Sequence, residues 1–235
     1  MVDLSWETAA LAALVKHGGD SPRGRLPLIG GMDEVGRGAL AGPVCVGVAV
    51  IDQLSLENPE FPQGFPAGLN DSKQLTERRR LALQDPIRAW VRDFAIGQAS
   101  NTEIDELGIM PALRLAGWRA LNELDARGHL PQILGLDGNF DYLAPPEQPD
   151  LFAGAGNLVS SPEVRVETLV KGDGKAAVIA GASVLAKVYR DAFMRSLRDP
   201  GYGWAKNVGY GTAAHRAALA ELGTSVWHRK TWKLR

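Results

Sequence analysis

The spacing of apolar residues changes period several times along the chain, and each change predicts a different element. Residues 5–17 carry apolar side chains at helical spacing and predict an amphipathic helix beginning near Ser5. After a short polar linker, DSPRGR, the segments LPLIGGMDEV and PVCVGVAVI are nearly unbroken apolar runs and predict two buried strands joined as a hairpin. The proline-rich stretch 52–73 predicts a long surface loop. Thr76 and Asp85 stand as caps of two short helices, ERRRLALQ and PIRAWVRD, the second opening on Pro86.

FAIGQAS predicts a third strand, and helical spacing from Ile109 runs to a stop signal at Gly128. LPQILGLDG predicts a fourth strand, residues 140–161 an inserted loop without periodicity, and the alternating EVRVETLV a fifth strand. The alanine-rich helix over 174–197 carries its apolar stripe on small residues, which suits close packing on a sheet, and a last helix, 213–223, is capped by Thr212. Strand and helix alternate as in α/β folds. The expected architecture is a mixed β-sheet flanked by helices, with a helical C-terminal part.

A chain of 235 residues, 45% hydrophobic, can build a core without disulfides. The single cysteine, Cys45, lies in an apolar strand and reads as a packed thiol, which suits a reducing compartment. Asp3 and Glu7 stand where a secretory signal would be basic, and no apolar run approaches a membrane span, so a soluble cytoplasmic protein without membrane contact is expected. Net charge of -1 hides an asymmetry, because residues 171–235 hold 12 Lys and Arg against 4 Asp and Glu. That C-terminal segment predicts a basic surface for a polyanion.

Gly36, Gly38 and Ala41 have the spacing of a dinucleotide-binding turn, with Glu57 about 20 residues on. The segment after Ala41 opens with Pro43 and a β-branched run, however, so no helix N-terminus is there to hold a pyrophosphate. A phosphate loop ending at Lys175 fails because Leu169 and Ala176 replace the required glycine and hydroxyl. Zinc is excluded by the scatter of His17, His129, His215 and His228.

Asp33 and Glu34 close the first strand, Asp137 the fourth, and Asp173 follows the fifth. Each alone reads as a turn or cap residue. Together they are hard oxygen donors gathered at strand ends, the ligand type that Mg²⁺ or Mn²⁺ takes. Adjacent residues of a regular strand face opposite sides, so the first strand is expected to end or bulge at Asp33 and Glu34.

With these residues the chain resembles the ribonuclease HII family. The resemblance rests on DEVGRGALAGPV, DSK at 71–73, LDGN at 136–139, KGD at 171–173, GASVLAKVYRD and GYGTAAH at 209–215, in family order. It implies a ribonuclease H-like domain over 27–235, preceded by a helix and linker over 1–26, with Asp33, Glu34, Asp137 and Asp173 as catalytic and metal-binding carboxylates for Mn²⁺ or Mg²⁺. The implied reaction is two-metal hydrolysis of the phosphodiester 5′ of a ribonucleotide, in RNA:DNA hybrids or embedded in duplex DNA, leaving a 3′-hydroxyl and a 5′-phosphate. Removal of misincorporated ribonucleotides by a monomer is the implied role.

By the same resemblance, the backbone of Gly36, Arg37 and Gly38 reads the 2′-hydroxyl, Tyr210 stacks on the neighbouring sugar, and Ser72, Lys73, Ser183 and Lys187 contact phosphates. A non-catalytic hybrid-binding protein is the alternative. Three features depart from the family pattern: the insertion between Asp137 and Asp173, Gly174 after the last carboxylate, and Thr231 and Trp232 where serine and phenylalanine are usual.

Overall fold

The computed structural model describes residues 2–17, 27–144 and 163–234. Five strands form one sheet: β1 (Ile29–Val35), β2 (Val44–Ile51), β3 (Asp93–Ala99), β4 (Ile133–Asp137) and β5 (Arg165–Leu169), in the order β3-β2-β1-β4-β5. The β1–β2–β3 meander is antiparallel, whereas β1, β4 and β5 run parallel. The sheet is therefore mixed, and the parallel half ends on one side with the C-termini of three strands.

Helices α1 (Ser5–His17), α3 (Glu77–Trp90) and α6 (Ala177–Ser196) share one core with one face of the sheet, and α5 (Ile109–Ala126) packs on the other. Glycines set how closely they lie. A Cβ at Gly31 would meet the backbone of Val178 and Ile179, and one at Gly47 the carbonyl of Ala182, so α6 rests directly on β1 and β2. At Gly97 a Cβ would overlap the carbonyl of Ala116 in α5. A third cluster joins Leu40, Met194, Tyr202 and Trp204 to the short α7 (Trp204–Asn207) and to α8 (Ala213–Leu222).

The edge strand β3 is closed by side chains: Arg119 Nη1 donates to Gln98 O and Arg127 Nη2 to Phe94 O, each at 2.8 Å. Those donors blunt an edge open to strand addition. Helix α6 begins without a side-chain cap at Ala176, and Asp3, just before α1, and Glu7, in its first turn, substitute for one. Asp3 O accepts from Ala177 N and Glu7 Oε1 from Val178 N at 2.8 Å, so two N–H groups orphaned at the helix start are satisfied by another element.

Three expectations are corrected. The two short helices capped by Thr76 and Asp85 are one helix, α3, with Pro86 inside it. Leu83, Ile87 and Trp90 form a buried stripe at helical spacing, and burying it outweighs the one backbone bond that proline removes. The loop 52–73 contains a capped turn of helix, α2 (Gln53–Leu56), in which Asp52 and Ser55 cap each other. α4 (Asn101–Leu107) was not expected, although Ser100 and Glu103 form a capping box at its start.

Residues 145–161 of the expected inserted loop and the linker at 20–25 lie outside the described residues. Tyr142 and Leu143, within the expected loop, are buried in the α5-side core. Cys45 is buried, and burial pushes its thiol up to about 12, as befits a packed side chain.

The glycine contacts make a stability prediction. Gly97→Ala should cost about 2 kcal/mol or more, because helix backbone cannot yield to the added methyl. Gly38→Ala, where a Cβ would meet nothing within 4 Å, should change stability by less than about 0.5 kcal/mol. Urea denaturation of both variants distinguishes the two environments.

Candidate metal centre and recognition loop

Parallel pairing of β1 with β4 ends at Met32 opposite Leu136, which puts Asp33 and Asp137 side by side at the same edge of the sheet. After β5 the chain turns through Lys171, in the left-handed conformation at φ 58°, into a tight helical turn, Gly172–Gly174. The turn brings Asp173 back over β4. Gly172 N donates to Asp137 Oδ1 at 2.7 Å and Asp173 N to the same oxygen at 3.3 Å. Each of Asp33, Asp137 and Asp173 then offers one carboxylate oxygen, and the three lie within 4.8 Å of one another.

Asp33 is 1% exposed, and its Oδ2 has no hydrogen-bond partner, while Oδ1 accepts from Glu34 N at 2.7 Å. Burial pushes its carboxyl up to about 8; the neighbouring Ser183 hydroxyl and the Lys73 charge oppose this, and the Glu34 and Asp137 charges add to it. Asp173 is raised by burial and by Asp137. Three converging carboxylates, one of them buried with an unused oxygen, fit a hard divalent cation. Lys73 stands in part for that charge, with Nζ 3.3 Å from Asp173 Oδ2. Burial would lower its pKa, but Asp33 and Asp173 hold it above the usual lysine range.

Glu34 behaves differently from its neighbour. β1 pairs regularly with β2 through Val35 and neither ends nor bulges at the two acids, contrary to expectation. A regular strand sends adjacent side chains to opposite faces. Glu34 accordingly lies outside the trio, 3.6 Å from Arg37 Nη1, with its carboxyl raised by burial and, against the pull of Arg37, by Asp137.

The remaining expected residues separate into three groups. Ser72 and Ser183 are both buried, and Ser183 Oγ donates to Ser72 Oγ at 2.8 Å, close enough to Asp33 to lower its pKa. They stand behind the carboxylates, and in this conformation their hydroxyls do not face a phosphate. Lys187 Nζ lies 2.7 Å from Asp191 Oδ1 and 5.3 Å from the ring centre of half-buried Tyr210. Gly36, Arg37 and Gly38 open the loop between β1 and β2, and Gly209 O, one residue before Tyr210, accepts from Leu40 N and Ala41 N.

The two loop glycines have different reasons. Gly36 has φ 85°, and a Cβ there would overlap the Arg190 guanidinium. Gly38 is exposed with open space above it. Arg190 and Arg229, both 0% exposed, were missed as site residues. Their partners are backbone carbonyls, which leave no mark in a sequence. Two of the twelve cations counted toward a basic C-terminal surface are thus inside the protein.

The family model for Ribonuclease HII matches residues 30–235. Ribonuclease HII of Streptomyces avermitilis is 43% identical over 207 residues, covering 87% of this chain and 76% of that protein. Ribonuclease HII of Bacteroides thetaiotaomicron is 41% identical over 207 residues, covering 87% and 88%. Among solved structures, the ribonuclease H2 of Pyrococcus horikoshii superposes with a TM-score of 0.60 at 27% identity, over 88% of this chain and 94% of that one.

The carboxylate trio makes stability depend on pH and metal. Below the ordinary carboxylate range Asp33 is protonated in both folded and unfolded chains. From there to about pH 8 the folded chain keeps a proton that the unfolded chain releases. Metal-free stability should therefore fall as pH rises through that window, by at most about 1.4 kcal/mol per pH unit from this group. Asp33→Asn should flatten the fall, and Glu7→Gln should remove a separate component, since burial pushes Glu7 up to about 7. Because a cation must displace the Asp33 proton, Mn²⁺ should raise the melting temperature more at pH 8 than at pH 6. Thermal melts across pH, with and without Mn²⁺, check both slopes.

Proposed function

Since the chain belongs to the ribonuclease HII family, and so to the nucleases, we propose that it is an endoribonuclease cutting the phosphodiester 5′ of a ribonucleotide. Its substrates in this reading are RNA:DNA hybrids and duplex DNA with embedded ribonucleotides, and its role is to remove misincorporated ribonucleotides. The observation that carries the proposal is the convergence of Asp33, Asp137 and Asp173 where the parallel pairing of β1, β4 and β5 runs out, with one buried oxygen unsatisfied. The catalytic unit is residues 27–235, with 1–26 a helix and linker attached to it. It acts as a monomer in the cytoplasm; among the described residues no helix is long and apolar enough to cross a membrane.

Two ions of the Mg²⁺ or Mn²⁺ class, when bound, supply an activated water and neutralise charge at the leaving 3′-oxygen. Asp33, Asp137 and Asp173 would hold the first, and Glu34, on the next position of β1, would join them toward the second. Lys73, paired with Asp173, would be free to contact a phosphate where a cation took its place beside that carboxylate. Lys187 offers a second phosphate contact, and Ser72 and Ser183 act from behind by fixing Asp33. The N–H groups of the Gly36–Gly38 loop meet the ribose, where the 2′-hydroxyl distinguishes RNA from DNA. Tyr210, tied to that loop through Gly209, stacks on the neighbouring sugar. Exposed Lys206, Arg216 and Lys230 extend a basic surface for the duplex backbone.

Incubating the protein with duplex DNA that contains one ribonucleotide, in Mg²⁺ or Mn²⁺, should give a cut 5′ of that residue with 3′-hydroxyl and 5′-phosphate ends. Asp137→Asn should slow cutting by about 10²- to 10³-fold while duplex binding persists. Binding without any metal-dependent cutting by the unaltered protein would instead establish a hybrid-binding protein. Tyr210→Ala should weaken preference for the RNA-to-DNA junction; if Tyr210→Phe and Tyr210→Ala both keep it, the stacking role is wrong.

A further inference from the structure

The loop from Gly36 to Pro43 is held by two buried cations that have no carboxylate partner among the described residues. Arg229 Nη2 donates to Gly36 O at 2.7 Å, Nη1 to Arg37 O at 2.8 Å, and Nε and Nη2 to Gly42 O at 3.2 and 3.1 Å. Arg190 donates to Ala41 O, Pro43 O and Val208 O at 2.9–3.0 Å. Backbone bonds bind the same segments, Arg229 N to Leu40 O and Gly42 N to Trp227 O, and the Trp232 ring lies 4.8 Å from the Arg229 guanidinium.

In a trans peptide the carbonyl and the N–H of the same unit point in opposite directions. The chain has no cis peptide bond among the described residues. Drawing Gly36 O inward onto Arg229 therefore aims the N–H of Arg37 outward, and drawing Arg37 O inward aims the N–H of Gly38 outward. Among the described residues neither N–H has a protein acceptor. The space beside Gly38 is open. The result is two adjacent donors facing away from the protein, each in a peptide whose carbonyl is polarised by a cation.

We propose that Arg229 is the positioning residue that makes this loop select for a 2′-hydroxyl: it turns two peptide units so that their N–H groups meet a hydroxyl oxygen that deoxyribose lacks. The inference rests on the reading of the Gly36–Gly38 loop given under the proposed function. It assigns the C-terminal segment a part in specificity that acts through the backbone of another segment. Lysine cannot replace Arg229 in this role, because one ammonium donates from a single point and cannot span the carbonyls of residues 36, 37 and 42.

Dissociation constants measured in an Asp137→Asn background, for a duplex with one ribonucleotide and for the same duplex wholly of DNA, test it. The parent should prefer the ribonucleotide duplex. Arg229→Lys should reduce that preference by about tenfold, the size of one well-placed hydrogen bond, while affinity for the all-DNA duplex stays within about twofold. Should Arg229→Lys fail to fold, Asp105→Ala decides. Asp105 anchors Lys230 N, Thr231 N and Thr231 Oγ1 from the solvent side, at 2.7–3.0 Å, so its loss loosens the segment while Arg229 keeps its guanidinium and the carbonyls it bonds.

A smaller loss of preference in the Asp105 variant supports the inference. A folded variant with undiminished preference, or one weakened equally on both duplexes, overturns it while leaving the loop reading intact. A parent with no preference overturns the loop reading and this inference together.

Discussion

Asp33 sets the terms for the rest of the molecule. A carboxylate on the central strand of a sheet, 1% exposed and with one oxygen unpartnered, is unfavourable unless a cation joins it. The surrounding architecture keeps that carboxylate in place. Gly31 and Gly47 allow α6 to lie against β1 and β2, and this close approach delivers Ser183 to Asp33. The same helix starts just after Asp173, so its position also fixes the third carboxylate. Its uncapped first turn is completed by Asp3, just before α1, and Glu7 of α1, both outside residues 30–235 of the family match. An element remote in sequence thus supports the helix that supports the site.

Buried charge of the opposite sign is handled in a different way a short distance along the chain. Arg190 and Arg229 are as fully buried as Asp33, yet neither pairs with an acid among the described residues; each is satisfied by carbonyl oxygens of the loop that follows the two acids. Burial lowers the Arg229 pKa to about 9, with Arg190 adding to the effect, so it remains a cation at neutral pH. Had the buried acids and buried arginines neutralised each other, the acids would have had no free oxygen for a metal and the loop no fixed carbonyls. Segregating the two signs leaves the carboxylates facing one partner, a cation, and the loop amides facing another, an oxygen.

The carboxylates were legible in the sequence because acids at the ends of apolar strands are chemically out of place, and a sheet of parallel strands brings such ends together. The β1–β2 hairpin, α5, α6 and the Thr212 cap were equally legible from period and caps. What failed was local geometry decided by tertiary packing. Pro86 suggested a break that the buried stripe of Leu83, Ile87 and Trp90 overrides. The adjacency of Asp33 and Glu34 suggested a bulge, whereas the strand stays regular and the two acids part company. Ser72 and Ser183, which the resemblance matched to phosphate contacts, are buried by the approach of α6. Arg190 and Arg229 were invisible for a stricter reason: every non-proline residue carries the same carbonyl, so an arginine bonded to backbone has no partner to find in a sequence.

Tyr210 joins the same construction through two buried histidines whose tautomers follow from their neighbours. Ser225 N can only donate, and it lies 2.9 Å from His228 Nδ1, so that nitrogen is an acceptor. Burial and His215 push His228 down to about 4, so the ring is neutral near pH 7 and its proton is on Nε2. That proton faces His215 Nε2 at 3.0 Å, leaving His215 to donate from Nδ1 to Tyr210 O at 2.9 Å. On the other side, Val208 is held at φ 43°, an unfavourable conformation for a β-branched residue, with its carbonyl on Arg190. Gly209 between them accepts from Leu40 and Ala41. The tyrosine and the Gly36–Gly42 loop are therefore one rigid unit fastened from the C-terminal segment by a histidine relay and a guanidinium. Displacing residues 225–229 would move both at once.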